Sequence, residues 1–314
     1  MKKIIITTTI NPPTEALIKF NSLKDWKLIV VGDLKTPHTT YKGYNYLSPK
    51  DQEAKYPNLS KLLGWNTIQR RNIGFLEAYR EKADIIATVD DDNIPYDEWG
   101  KNVRVGQIVE NLLTYHTSDL VFDPICVTNH YRLWHRGFPL QLLHNRNLRI
   151  EQKYQTHRID IQADFWNGDP DIDAFCRMQF KPECSFLEKH FPFTTTRYSP
   201  FNSQNTFLSR TALRWYFMFP NIGRMDDIWA SYYLEHLGFK VMYQKPSVYQ
   251  ARNVQNLTKN LKDEVLGYTK TIDYLDWLDN FDEVDLISPL PEESLLAFKE
   301  YINQMNLIDK NENN

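Results

Sequence analysis

The sequence predicts an α/β fold, with one mainly parallel central sheet flanked by helices and a helical C-terminal appendage. Three observations carry that expectation. The first hundred residues alternate β-branched runs with helix-spaced apolar stripes. Three of the expected strands end in unusually polar stretches, "TTINPPTE", "GDLKTP" and "DDDN". Beyond residue 262 the apolar spacing becomes helical, interrupted by the two prolines of "ISPLPEE".

Lys3–Thr9 is continuous and β-branched, as a strand covered on both faces should be. Thr14 is placed to cap a helix whose Ala16, Leu17, Phe20 and Leu23 form one stripe. "WKLIVVGD" (26–33) is a second strand, Asn66 to about Arg80 a second long helix, and Asp84–Val89 the next buried strand. Strand–helix–strand order at these lengths requires right-handed crossovers and parallel pairing. Ligands of such sheets lie beyond the carboxyl ends of the strands, where the polar stretches fall. A main domain over 1–262 and an appendage over 263–314 follow, with "NLIDKNENN" expected to fray. Trp277 and Phe281 are candidates for an oligomer or acceptor surface, with packing on the main domain as the competing role.

Composition narrows the function. The chain has 314 residues and a net charge of −3, with no long basic run to suggest a nucleic-acid partner. Three cysteines without CxxC spacing argue against a disulfide framework or a zinc site. The apolar start is short, threonine-rich and interrupted by Pro12 and Pro13, and it reads as a strand rather than a leader. No stretch approaches a membrane span, and a cytoplasmic protein is expected.

"IIATVDDDNIPYDEWG" (85–100) runs from an apolar strand into three aspartates. It starts like an EF-hand loop, but its sixth position is Pro95, where that loop needs glycine. GxGxxG and GxxxxGK[ST] are both absent. Carboxylates two residues apart suit a hard divalent cation, Mg²⁺ or Mn²⁺, shared with a diphosphate, so Asp90 and Asp92 are candidate metal ligands. Capping of the following turn is the competing explanation. Asp91 is the aspartate least needed for a metal. Thr8, Thr9 and Asn11 at the first strand end and Asp33 at the second are placed for a nucleoside.

"TTINPPTEAL", "WKLIVVGDLKTP", "YLSPKDQ", "QRRNIGFLEA" and "VDDDNIP" resemble, in order and spacing, the STELLO-type glycosyltransferase-like domain. "RLWHRGFPL", "FNSQNTFLS" and "DDIWASYYLEHLG" extend the likeness to roughly residues 3–265. The latter half is also similar to the reversibly glycosylated polypeptides, which include UDP-arabinopyranose mutases. The resemblance implies a GT-A type fold, a nucleotide-sugar donor and a divalent metal. A UDP-sugar is favoured, with CMP, GDP and dTDP sugars open. The acceptor would be a glycan or another hydroxyl, and oligomers are possible.

Within that frame, Arg71 of "QRRN" suits a diphosphate by bidentate pairing, a solvated helix face being the alternative for either arginine. Similarity gives Asn202, Gln204 and Asn205 a role toward the donor sugar and associates Arg136 with self-glycosylation, while His135 beside it reads as structural. Asp226 is expected to cap a helix. Asp227, in its first turn, would stay ionised as a base, the pair together serving proton acceptance and acceptor positioning. The mutase-like relatives carry "WH" where this chain has Tyr249 and Gln250, so the late metal-ligand histidine is missing and Arg252 is the cation nearest that gap. Metal-assisted sugar transfer is the leading expectation. The alternatives are a nucleotide-sugar mutase self-glycosylated on an arginine and a non-catalytic nucleotide-sugar-binding scaffold.

Overall fold

A computed structural model describes residues 1–146, 149–252, 255–280 and 288–312. In β1 (Lys3–Thr9) the three isoleucines are wholly buried, because helices cover both faces of the sheet. Thr14 caps α1 (Glu15–Asn21), its hydroxyl accepting from Leu17 N at 3.2 Å, and Ala16, Leu17 and Phe20 are buried. β2 (Lys27–Gly32), β3 (Asn45–Leu47), α2 (Pro49–Lys55) and α3 (Pro57–Leu63) follow. A 3₁₀ turn over Ile68–Arg70 then leads into α4 (Arg71–Arg80) and the buried β4 (Ile85–Val89). The second helix is therefore shorter than its apolar pattern suggests. Asn66 sits at φ 57°, which breaks the helix before Arg71.

These four strands pair in parallel. β1 lies between β2 and β4, so the chain crosses over in opposite directions from it and opens a crevice at the strands' carboxyl ends. α4 is pressed close over that crevice. A Cβ on its Gly74 would lie 2.5 Å from Ile6 Cγ2 and 2.8 Å from Val31 Cγ2.

The chain continues through β5 (Asn93–Pro95), β6 (Ile108–Thr117), β7 (Ile150–Arg158), β8 (Ile161–Gly168), α5 (Ala174–Gln179) and β9 (Phe193–Thr195). β10 (Asn205–Ser209), α6 (Arg210–Leu213), α7 (Asp226–His236) and β11 (Val241–Gln250) complete the sheet layer. The sheet order is β3-β2-β1-β4-β10-β8-β11-β9-β6-β7, with β5 beside β11. The expected α/β sheet flanked by helices is present, parallel through its first four strands and mixed beyond them. β10 runs antiparallel to β4 and β8, while β11 is parallel to β8. Between β4 and β9 the α-helix described is the six-residue α5, so no long crossover imposes parallel pairing there.

α8 (Leu257–Asp279) packs on α5 and α7, and α9 (Glu292–Glu312) on α3 and α4. Trp229 stacks on Tyr274 with ring centroids 4.4 Å apart, and Trp277 is half-buried beside it. Phe281 lies outside the described residues. The expected fraying from Asn306 does not extend over the described tail. Tyr79 Oη donates to Asp309 at 2.8 Å and Arg210 reaches Glu312 at 2.8 Å, so α9 is held to its last turn. Among the described residues, no helix is long and apolar enough to cross a membrane.

Candidate functional site

Two clefts meet at the carboxyl ends of the strands. The first, of about 300 Å³, is lined by Thr8, Thr9 and Asn11 from β1 and its loop, Asp33 after β2, Arg71, and Asp90–Asp92 after β4. The second, of about 200 Å³, contains Arg136, Gln204, Asp226, Asp227, Gln250 and Arg252. Ile68, Asp90 and Asp92 line both. The end of β11 holds the aspartate segment in place. Asn93 pairs with Gln250, and Ala251 N donates to Asp92 O at 3.2 Å.

The three aspartates are not equivalent. Asp91 accepts from Thr9 Oγ1 and, at 3.0 Å, from Asn11 Nδ2, so it fastens the β1 loop. Asp90 is paired with Arg71 at 2.7 Å. Arg71 also donates to Thr8 Oγ1, Thr88 Oγ1 and both oxygens of Ser203, which commits its Nη atoms to the protein. Arg71 is a buried counter-ion to Asp90 at the strand end, with its Nη atoms turned to the protein. Arg70 is buried too, bonded to Gln52 and Ser60. Among the described residues Asp92 has no such partner. Burial first, and then the Asp90 charge, push its carboxyl up to about 7, with Arg252 partly opposing them.

Asp33 has a similar local duty. Its Oδ1 accepts from Leu34 N and Asn66 N and its Oδ2 from Thr67 N at 3.0 Å, which shapes the loop opposite Thr9. Its remaining lone pairs face the first cleft.

In the second cleft, Arg136 is the hub. Its Nε and Nη2 donate to Asp171 at 2.9 and 3.0 Å, its Nη1 and Nη2 to Asp227 at 3.0 and 3.2 Å, and Nη1 also meets Arg224 O. All five N–H groups are used. Its two carboxylate partners hold it well above the usual arginine value despite its burial, so no neutral nitrogen is available to attack a sugar. Arg136 is thus fully engaged by the protein in this arrangement. Gly137 next to it takes φ 89°, and a Cβ there would meet Ile228 Cγ2 at 2.2 Å, which seats the loop on α7. His135 is buried, its Nδ1 2.7 Å from Arg136 O, and burial lowers its proton affinity.

Asp226 and Asp227 both lie in the first turn of α7, and Met225, not Asp226, occupies the cap position. Asp227 accepts from Arg136, Ser203 N and Ser203 Oγ. Burial raises its proton affinity, but Arg136 more than offsets that and leaves it below the ordinary carboxylate range. Asp226 has the opposite character. Burial, and next the Asp227 charge, push it up to about 7, against a hydrogen bond of 2.8 Å from Gln69 Nε2. The two carboxyls are thus shifted in opposite directions, Asp226 up and Asp227 down.

The amide segment divides in the same way. Asn202 Nδ2 donates to Asp171 at 2.8 Å, and Gln204 lines the cleft, hydrogen-bonded to the Gln250 amide at 2.6 Å. Asn205 is wholly buried, accepting from Trp99 Nε1 and donating to Asp164 O, Phe165 O and Ser247 Oγ. It braces β10 against β8 and β11 and does not reach the cleft. With its amide turned the other way, Gln250 Oε1 leaves Gln204 Nε2 and accepts instead from Arg252 Nε and Nη2, at 3.1 and 3.0 Å. Arg252 otherwise has long contacts, 3.6 Å to Asp169 and 3.8 Å to Asp171. It is the cleft cation least tied to carboxylates.

Asp169, Asp171 and Gln69 are not anticipated from sequence. The alternating aspartates of "GDPDID" directly after β8 are a legible signal of the same kind as the earlier aspartate run. Gln69 carries no such signal.

No family model matches the chain. Probable glycosyltransferase STELLO2 of Arabidopsis thaliana is 26% identical over 281 residues, covering 81% of this chain and 36% of that protein. The chain resembles the STELLO-type glycosyltransferase-like family. STELLO1 of the same plant is 24% identical over the same length, so the STELLO-like chain spans about a third of these relatives. Among solved structures, glucosyl-3-phosphoglycerate synthase from Mycobacterium tuberculosis, in complex with Mn²⁺, UDP and phosphoglyceric acid, shares 13% identity at a TM-score of 0.43. The match covers 86% of the STELLO-like chain and 77% of the synthase.

Proposed function

We propose that the chain is a nucleotide-sugar-dependent glycosyltransferase of GT-A type, moving a sugar to a hydroxyl acceptor. The observation that carries this reading is the pair of clefts sharing Asp90 and Asp92. The first cleft offers Thr8, Asn11 and Asp33 to a nucleoside, UDP being favoured, and the second offers Gln204 and Arg252 to the sugar and diphosphate. Asp226 accepts the proton of the attacking hydroxyl, and Asp227 holds Arg136 and Ser203 in place around it.

The shared aspartates suit Mg²⁺ or Mn²⁺. Both present hard oxygens, and Asp92 is a half-buried carboxyl that belongs to no ion pair among the described residues. Among the described residues no group of three His, Cys, Asp or Glu side chains could hold a metal, so donor phosphates and water would supply the other ligands. A bound metal would neutralise the leaving diphosphate.

Thermal shift with a panel of nucleoside diphosphates and their sugars, with and without Mn²⁺, followed by a release assay with the stabilising donor, tests the reading. A metal-dependent stabilisation and sugar release that Asp226→Asn abolishes support it. Tight donor binding without release under any acceptor would instead make the chain a binding scaffold.

A further inference from the structure

A third cavity, of about 330 Å³, shares no lining residue with either cleft. It arises where the pairing of β8 with β11 loses register between Gln244 and Val248, so that residues 245–247 bow away from β8. The loop 96–103 closes over the gap, bringing Tyr96 and Trp99 to its wall.

Asp164, on β8, lines this cavity and is 6% exposed. Its carboxylate accepts from Gln162 Nε2 at 2.7 Å and from the Ser247 hydroxyl, and it belongs to no ion pair among the described residues. Two neutral donors are poor compensation for a buried carboxylate, and burial pushes it up to about 7. Asparagine would make the same two contacts without that cost, so the charge needs another explanation. Glu98 and Glu188 add two carboxylates, but Lys101 holds the first at 3.0 Å and Lys245 the second at 2.9 Å, so among the described residues Asp164 is the lining carboxylate without an ion pair.

We propose that this cavity binds a small organic cation, a primary amine, with its ammonium on Asp164 and its methylenes along Val103 and Pro246. An ammonium donates to the Asp164 carboxylate and supplies the charge its neutral partners do not, and aromatic rings such as those of Tyr96 and Trp99 favour a cation beside them. The proposal stands whether or not the transferase reading does.

Isothermal titration of the whole chain with cadaverine, and with pentane-1,5-diol as its neutral counterpart, tests this. Saturable binding of the amine and not of the diol is expected, weakened roughly ten- to hundredfold by Asp164→Asn. Asn102→Trp at the exposed rim fills the cavity without touching Asp164, and it too should abolish binding. Amine binding that survives either folded variant overturns the proposal. So does equal binding of the diol, or no saturable binding of the amine to the native chain.

Discussion

Arg136 and Asp227 face each other fork to fork, Nη1 to Oδ1 at 3.0 Å and Nη2 to Oδ2 at 3.2 Å, with both side chains buried. The pair joins the loop before β7 to the first turn of α7 and fixes the ionised state of Asp227. Removing the cation strands two buried carboxylates, Asp171 and Asp227. Arg136→Met should destabilise the fold by about 3–5 kcal/mol, read by urea denaturation. Incubating the native chain with donor should give no mass gain at Arg136, and a sugar found there would restore the mutase alternative.

The opposed shifts of Asp226 and Asp227 give a pH signature. Asp226 binds its proton more tightly folded than unfolded, so it stabilises the fold at low pH. That contribution fades as pH rises from about 4 toward 7. Asp227 and Asp171, depressed in the fold, contribute above pH 4 and are lost as pH falls below it. Asp226→Asn should flatten the decline between pH 4 and 7 in chemical denaturation. For catalysis, kcat/KM should rise with pH through a midpoint near 7 and level off above about 8 in the native chain, and fall roughly 10²–10⁴-fold in the variant.

Asp90 and Asp92 should separate in mutagenesis. Asp92→Asn removes a charge that burial disfavours, so stability near neutral pH should hold or rise while Mn²⁺-dependent donor binding is lost. Asp90→Asn takes the counter-ion from buried Arg71 and should cost stability as well as donor binding. Melting temperatures with and without Mn²⁺ and donor distinguish the two, and equal behaviour would contradict the division.

Arg252→Gln should leave the melting temperature close to native, since its carboxylate contacts are long, and weaken donor binding roughly tenfold or more. Gly74→Ala should do the reverse. The added methyl meets Ile6 and Val31, costing about 1–3 kcal/mol by overpacking, with donor affinity per folded molecule unchanged.

Much of the site was legible because strand ends announce themselves. An apolar run that stops in "TTIN", "GD" or "DDD" places those side chains at one edge of a parallel sheet, whatever the rest of the chain does. Local pattern also marked Thr14 as a cap and the α7 carboxylates as a first turn. What each polar residue does there was not legible. Arg71 and Arg252 are both arginines near an acidic run, but one is sealed against Asp90 and Ser203 and the other is held by long contacts.

The α/β architecture, the polar strand ends and the two acidic centres were readable along the chain, because periodicity and strand-end chemistry are local. The unequal proton affinities of Asp226 and Asp227 were not. That difference depends on distant partners. Arg136, some ninety residues away in sequence, lowers the proton affinity of Asp227, while burial and then the Asp227 charge raise that of Asp226. The opening aspartates divide for the same reason. Asp91 is bonded to the β1 loop, Asp90 to a helix, and Asp92 is left to the space between the clefts.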